Sequence, residues 1–396
     1  MASPIRQAYD EQQPPEPYLP SEEVQKLIAY LGAQRKAGEA AKRQAMRQAW
    51  TNLAFYVGRQ HTYFNEFSER IEDLEADDWR VRITLNYVRS AVDTMIARAT
   101  ENRPTVAVMP ATSDEDDQQA ARACEKLVEH LWSALDMQTK LYEFTQLVFV
   151  TGTGVMKVYW DPERGEEYEL RSPQAIEDAV IESYYEDGVA VPPESVRPTA
   201  RTGAPSVEVI NLMEFGWDPG AKDLDHARWA YHETSMHIDE IRQNWPEMGR
   251  YVTKGSTYDS DSFSAQLLKD FKKDTSAAES EDRVRVIEYF ERPSPRHPKG
   301  FYAILAGEVL LEAQEFLPHG ELPFVVARHK PVSGKLPGDG AVADLIPAQK
   351  ELNKKFSQRI ENANLMASPK WIVPEGSIAG DHITDEPGEI VVYDLS

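Results

Sequence analysis

The sequence predicts an α+β protein with helices first, a β-rich middle and one long helix near its end. Apolar residues recur at helical spacing within residues 21–150. Short apolar or alternating runs bounded by Gly and Pro occupy residues 151–330, and a further helical pattern covers residues 341–366. Because helices and strands are segregated along the chain, α+β is favoured over a wound parallel sheet.

Composition limits what the chain can be. Its 396 residues exceed one ordinary core. A single cysteine excludes an intrachain disulfide framework, and the lack of a long apolar run predicts no membrane span. The net charge of −23 argues against a whole surface that binds DNA tightly. It leaves open an ordinary acidic protein or an acidic wall along which a polyanion slides.

The first part of the chain is predicted to be an arm followed by helices. Residues 1–20 hold five prolines and no apolar signal core, which predicts an extended arm. Ser21 is the predicted cap of the first helix, and Gly32 and Gly38 predict a break in it. After Ser113 an acidic first turn opens a helix whose apolar stripe includes Cys124, interpreted as a packing residue.

The middle of the chain is predicted to be mostly strands, with a hairpin turning at Ala306–Glu308. Val106 and Val108, before this region, alternate as in a short strand. Two polar stretches, 172–205 and 253–282, are predicted to be insertions. The glycines of 333–340 are interpreted as a flexible connection, because they match no dinucleotide fingerprint.

The search for catalytic chemistry finds no strong motif. The acidic clusters Glu72–Asp78 and Asp114–Asp117 leave a metal-dependent nuclease open, although runs of acids are usually solvated faces or helix starts. His226, His232 and His237 lack metal-ligand spacing and are interpreted as surface or interface histidines. The sequence therefore predicts no metal site, no cofactor and no catalytic residue.

The last helix is basic within an acidic protein. Residues 347–371 carry a net charge of +3, and Asp344 and Pro347 are predicted to lie at the helix start. One face of the helix is apolar, as expected for packing against a copy or a neighbour, and it contains Leu345, Leu352, Phe356 and Ile360. Its other faces carry the cations Lys350, Lys354, Lys355 and Arg359.

Several stretches in a fixed order carry a resemblance to a known family. They include "RITLNYVRSAVDTMIARATENRPTVAVMP" (82–110), "FTQLVFVTGTGVMKVYWD" (144–161), "VEVINLMEFGWDPGA" (207–221) and the glycine-rich approach to "AQKELNKKF" (348–356). In these the sequence resembles the portal proteins of tailed bacteriophages, most of all the type found in short-tailed phages.

The resemblance implies a portal fold. Residues 21–340 would form a helical and β-rich wing, 341–366 a stem helix and 367–396 the start of a small β clip. The second stem helix, channel loop and crown that family members carry are expected to lie outside this chain. The apolar face would be the subunit interface, and the cations would set the electrostatics of the stem or of the DNA channel.

The resemblance also implies function and partners. The expected assembly is a homododecameric ring at one capsid vertex of the virion, built in the host cytoplasm and traversed by double-stranded DNA during packaging and ejection. Expected partners are the terminase large subunit, head-tail adaptor proteins, and major capsid and scaffolding proteins, with no membrane. The expected docking residues are Lys370, Trp371, Glu375 and His382. Another phage structural protein, an adaptor or a scaffold, remains an alternative to the portal and the nuclease.

Overall fold

The computed structural model describes residues 18, 20–65, 67, 70–74, 81–162, 164–169, 199–253 and 283–367. Within these residues the helices, in chain order, are α1 (Glu22–Val57), α2 (Tyr87–Thr100), α3 (Glu115–Ala134), α4 (Met137–Thr151), α5 (Ile238–Asn244), α6 (Pro246–Gly249) and α7 (Ala341–Ala367). A 3-10 turn lies at Pro318–Gly320.

The strands divide into one large sheet, one smaller sheet and short hairpins. In chain order they are β1 (Thr62–Asn65), β2 (Arg70–Asp73), β3 (Thr153–Asp161), β4 (Glu167–Glu169), β5 (Thr199–Arg201), β6 (Ala204–Ile210), β7 (Phe215–Trp217), β8 (Trp229–His237), β9 (Arg283–Glu291), β10 (Phe301–Ala306), β11 (Val309–Gln314), β12 (Phe324–Arg328), β13 (Lys330–Pro331) and β14 (Gly338–Asp339). This combination of helices and antiparallel sheets confirms the α+β prediction.

Helix α1 begins as predicted but does not break. Ser21 accepts a hydrogen bond from the Val24 amide, and Gly58, at φ 99°, ends the helix in the left-handed conformation. The helix continues through Gly38, and a Cβ at this position would lie 2.9 Å from the Tyr231 ring. Close packing on the sheet therefore explains this glycine, and the predicted break is wrong.

The five-stranded sheet has the order β11-β10-β9-β8-β7 and is antiparallel throughout. One of its faces packs aromatic side chains, Trp229, Tyr231 and Tyr289, against Leu31 of α1. Other buried side chains of the sheet pack with Ile241 of α5. The predicted hairpin is confirmed, since β10 and β11 turn at Gly307 with φ 61°.

The three-stranded sheet has the order β12-β3-β6 and is also antiparallel. Val155 and Ile210 on this sheet share one apolar cluster with Phe215 and Phe290 of the large sheet. Phe324 of β12 contacts both aromatic rings, at centroid distances of 5.0 and 5.4 Å. The two sheets are therefore joined by a single aromatic core.

Two further predictions for the helical part are wrong. The stretch around Val106 and Val108 forms no strand, and 51% of the Val106 side chain is exposed. Cys124 is exposed, because α3 buries a neighbouring face at Ala121 and leaves Leu127 56% exposed.

The insertion predicted at 172–205 includes β5 and the start of β6. Most of both predicted insertions lies outside the described residues.

Candidate functional site

Helix α7 begins where two glycine-rich turns cross. Gly152 ends α4 with φ 94°, and a Cβ there would collide with the Gly338 carbonyl oxygen. A Cβ on Gly340 would collide with the Val150 carbonyl oxygen in the same way. The Gly338 amide donates to Thr153 Oγ1 at 2.9 Å, which ties the crossing together. The interpretation of these glycines as a flexible connection is therefore wrong at Gly338 and Gly340.

The first turns of α7 are apolar toward the body. Val342 and Ile346 are buried in a cluster with Phe55 of α1 and Val92 of α2. The helix begins at Ala341, so Asp344 lies inside it and pairs with Lys330 instead of capping. Pro347 likewise lies inside the helix and not in its first turn. At that position it removes one backbone hydrogen bond of the helix.

The middle of α7 faces the body with amide side chains. Gln349 and Asn353 are 4% and 2% exposed. Asn353 Oδ1 accepts from the Leu85 amide at 3.1 Å, and its Nδ2 donates to Gln60 Oε1 at 2.6 Å. Gln349 Nε2 donates to the Leu85 carbonyl at 2.5 Å and to Asn353 Oδ1 at 2.8 Å. One turn further on, Ser357 Oγ accepts from the Ile83 amide at 3.0 Å.

The predicted apolar face lies beside the one that α7 turns toward its own body and overlaps its edge. At about 100° per residue, the predicted face is centred roughly 45° around the helix from the line of Val342, Gln349 and Asn353. Within it Phe356 is 38% exposed, and the remaining members are half-buried, namely Leu345, Leu352 and Ile360. This face therefore keeps exposed apolar surface within the described chain, and its role as a subunit interface stays a prediction.

The predicted basic side chains are all exposed, but they do not share one face. Lys355 and Arg359 lie beside the apolar face, whereas Lys350 and Lys354 lie beyond the buried amides on the other side. Lys350 Nζ lies 5.5 Å from the centre of the Phe55 ring, and Lys354 lies 3.9 Å from Glu351. The cations thus form two flanks, and their role toward DNA stays a prediction.

The predicted docking residues lie outside the described residues. They are Lys370, Trp371, Glu375 and His382.

The groups considered for metal chemistry are dispersed. Across the described part of the chain, no three His, Cys, Asp or Glu side chains come together as a metal site would require. Asp114–Asp117 is exposed or half-buried at the start of α3, and residues 75–78 of the other cluster are not described.

One of the three histidines is not at the surface. His232 is 1% exposed, which makes its interpretation as a surface or interface residue wrong. It lies opposite Glu288 in the sheet register, and Lys157 pairs with that carboxylate. Burial, reinforced by the Lys157 charge, lowers the pKa of His232 to about 3. His232 is therefore a neutral core residue at physiological pH.

Residues 33–387 match the family model described as Phage P22-like portal protein. The chain belongs to the P22-like phage portal family. Among curated proteins, none matches the chain. No helix in the described part of this portal chain is long and apolar enough to cross a membrane.

Membership of the portal family supplies the coarse function. The family is structural, acts in the phage virion, and implies assembly into a ring with capsid and other phage proteins. The resemblance to short-tailed-phage portals is thereby confirmed. Sequence reasoning missed the buried amides of α7, although Gln349, Asn353 and Ser357 recur every four residues. That spacing is the signal of a polar helix face next to the apolar one.

Proposed function

We propose that this chain is the subunit of a dodecameric portal ring at one capsid vertex, through which double-stranded DNA enters and leaves. The family match over residues 33–387 carries the proposal. In it, residues 21–340 are the wing, α7 is the first stem helix and residues 367–396 begin the clip. The ring assembles in the host cytoplasm and becomes part of the virion.

The subunit interface in this proposal is the exposed apolar edge of α7. Phe356 and Leu352 of one copy pack against the neighbouring copy, and Leu345 and Ile360 extend the same line. A closed ring requires head-to-tail contacts that repeat by one rotation. An apolar strip that the chain's own body leaves partly uncovered supports such a contact.

The partners in this proposal divide between the clip and the channel. Terminase docks on the clip during packaging and a head-tail adaptor replaces it, using Lys370, Trp371, Glu375 and His382. The cations of α7 are multiplied by the copies in the ring and give a modest positive collar inside an acidic tube. ATP hydrolysis belongs to the motor and not to this chain.

The test is electron microscopy of the purified, intact gene product. We expect class averages of a ring with an axial hole and a native mass of about twelve copies, as a closed cyclic assembly requires. Phe356→Asp should abolish rings yet leave a folded monomer, because the side chain is already 38% exposed in one copy. Gln358→Asp, on an exposed position of another face, is the matched control and should assemble normally. Rings formed by Phe356→Asp would contradict the interface, and a wild-type protein that stays monomeric would contradict the function.

A further inference from the structure

In the described part of the chain, two sets of buried contacts hold helix α7 to the body. The first is the glycine crossing with the apolar contacts of Val342 and Ile346. The second is the buried group formed by Gln60, Gln349 and Asn353, called here the amide clamp. Beyond Ser357 the side chains that the structure describes are exposed or half-buried. Since two points define a line, the crossing acts as a pivot and the amide clamp sets the direction of the helix.

Asn353 is the centre of the clamp because it uses both atoms of its amide. Gln60, which it binds, is itself only 3% exposed and is oriented by two further bonds. Gln60 Nε2 donates to the Phe55 carbonyl at 3.0 Å and to Asn86 Oδ1 at 2.9 Å. Only the Gln60 oxygen is therefore left to face α7, and it requires a donor there. The clamp thus ties α7 to the end of α1 and to the segment that leads into α2.

Amides fix a direction more sharply than apolar side chains would. A hydrogen bond weakens within a few tenths of an ångström and within tens of degrees, and a buried amide left unpaired is unfavourable. Apolar contacts tolerate tilting and sliding of a helix far better. Buried polar groups are attested elsewhere as devices that specify one arrangement at some expense of stability. The clamp has the composition and burial of such a device.

The backbone of the preceding segment reinforces the clamp. The Ile83 and Leu85 amides bond to Ser357 and Asn353. Two residues of extended chain span about 6.6 Å and four residues of helix about 6 Å, so the two repeats match along this contact. The segment therefore lies along α7 and resists its tilt over about one turn.

We infer that Gln60, Gln349 and Asn353 are positioning residues that set the direction in which α7 leaves the body, and through it the number of copies that close into a ring. The second half of this inference rests on the proposed function. From Asn353 to Ala367 the helix rises about 21 Å, so a tilt of about 15° displaces its end by about 5 Å. Because every contact in a ring repeats by one rotation, such a displacement changes the rotation at which neighbours meet.

The experiment measures direction and ring size separately, in the intact gene product. Spin labels at Ala99→Cys on α2 and Asn362→Cys on α7, in a Cys124→Ser background, report the angle of α7 as a distance distribution; all three positions are exposed. The test variants are Asn353→Leu and the milder Gln349→Met, which keeps side-chain length. The matched control is Asn364→Leu, an exposed asparagine on the same helix. Native mass spectrometry then gives the copy number of each assembly.

We expect both test variants to keep their circular dichroism spectrum, to broaden or shift the distance distribution, and to form rings of mixed copy number or no rings. The control should match the wild type in both measurements. Wild-type distances together with a single wild-type copy number in both variants would overturn the inference. If Asn353→Leu does not fold, Gln349→Met decides. A shifted distance with unchanged ring size would overturn the link to closure alone. If the wild type forms no rings, the proposed function and the link to ring closure are both overturned. The distance distributions then still test whether the clamp sets the direction of α7.

Discussion

His232 shows how far burial can shift the pKa of a single side chain in this protein. Its Nδ1 has no hydrogen-bond partner among the described residues, and its neighbours across the sheets are the Lys157–Glu288 pair. The pKa falls to about 3 from an ordinary 6.5. Between these values the unfolded chain binds a proton that the folded chain does not. The free energy of unfolding therefore rises with pH in this window. The contribution of His232 is lost progressively as the pH falls below 6.5.

We predict that His232→Gln makes stability less sensitive to acid. At about 1.4 kcal/mol per pKa unit, His232 should remove about 2–3 kcal/mol from the free energy of unfolding between pH 7 and pH 4.5. Urea titrations at both pH values measure this loss in the wild type and in the variant. His226→Gln, whose side chain is 77% exposed, is the control and should keep the wild-type loss. An equal loss in the wild type and His232→Gln would contradict the assignment.

At the scale of elements, the glycine crossing leaves little room for any side chain. Gly152 has a left-handed backbone and also faces the Gly338 carbonyl, whereas Gly334 has φ 81° with open space around it. A side chain at Gly334 therefore adds backbone strain alone, whereas a side chain at Gly152 adds both strain and a collision. Substitutions at the two glycines form a matched pair that distinguishes these effects.

We predict that Gly334→Ala loses about 1–2 kcal/mol of unfolding free energy, the cost of a left-handed alanine. Gly152→Ala should lose about 1–3 kcal/mol more, since the crossing must also move apart. Urea unfolding monitored by tryptophan fluorescence measures both variants. Equal losses would mean that the crossing yields freely and does not fix the start of α7.

Periodicity predicted most elements but not which face each helix buries. The hairpin predicted at Ala306–Glu308 forms between β10 and β11, and the long last helix differs from its predicted bounds by one residue at its end. The prediction for Cys124 is wrong because α3 buries Ala121 and leaves the rest of its apolar stripe largely uncovered. The prediction for Gly38 is wrong because its deciding partner, Tyr231, is distant in sequence. The amide clamp was missed for the same reason. A buried asparagine resembles a surface one until Gln60 and Leu85 are placed beside it.

At the scale of the whole molecule, charge is distributed unevenly. The chain carries −23, yet α7 presents four exposed cations. In the proposed ring this contrast places weak attraction on the stem and repulsion elsewhere along the path of DNA. Exposed charges of this kind act over about a Debye length, close to 8–10 Å in physiological salt. In the proposed ring we expect them to affect passage of DNA more than folding of the subunit.

We predict that replacing Lys354, Lys355 and Arg359 with Glu leaves ring images unchanged and lowers the DNA content of phage particles several-fold. The altered gene is tested in the phage, with DNA per particle measured after purification. The control reverses the same number of exposed charges elsewhere, at Lys26, Lys126 and Lys222. Equal DNA content in both variants would mean that these α7 side chains do not face the DNA.

Helix α1 gives the molecule a mechanical property. Its 36 residues are continuous, which corresponds to about 54 Å of helix. Near one end Leu31 is seated on the aromatic face of the large sheet, and near the other Phe55 and Tyr56 support α7 and α2. Because one continuous helix joins these two contacts, we expect a displacement of α7 to be passed along α1 to the large sheet, so that a load on the stem also strains the aromatic core.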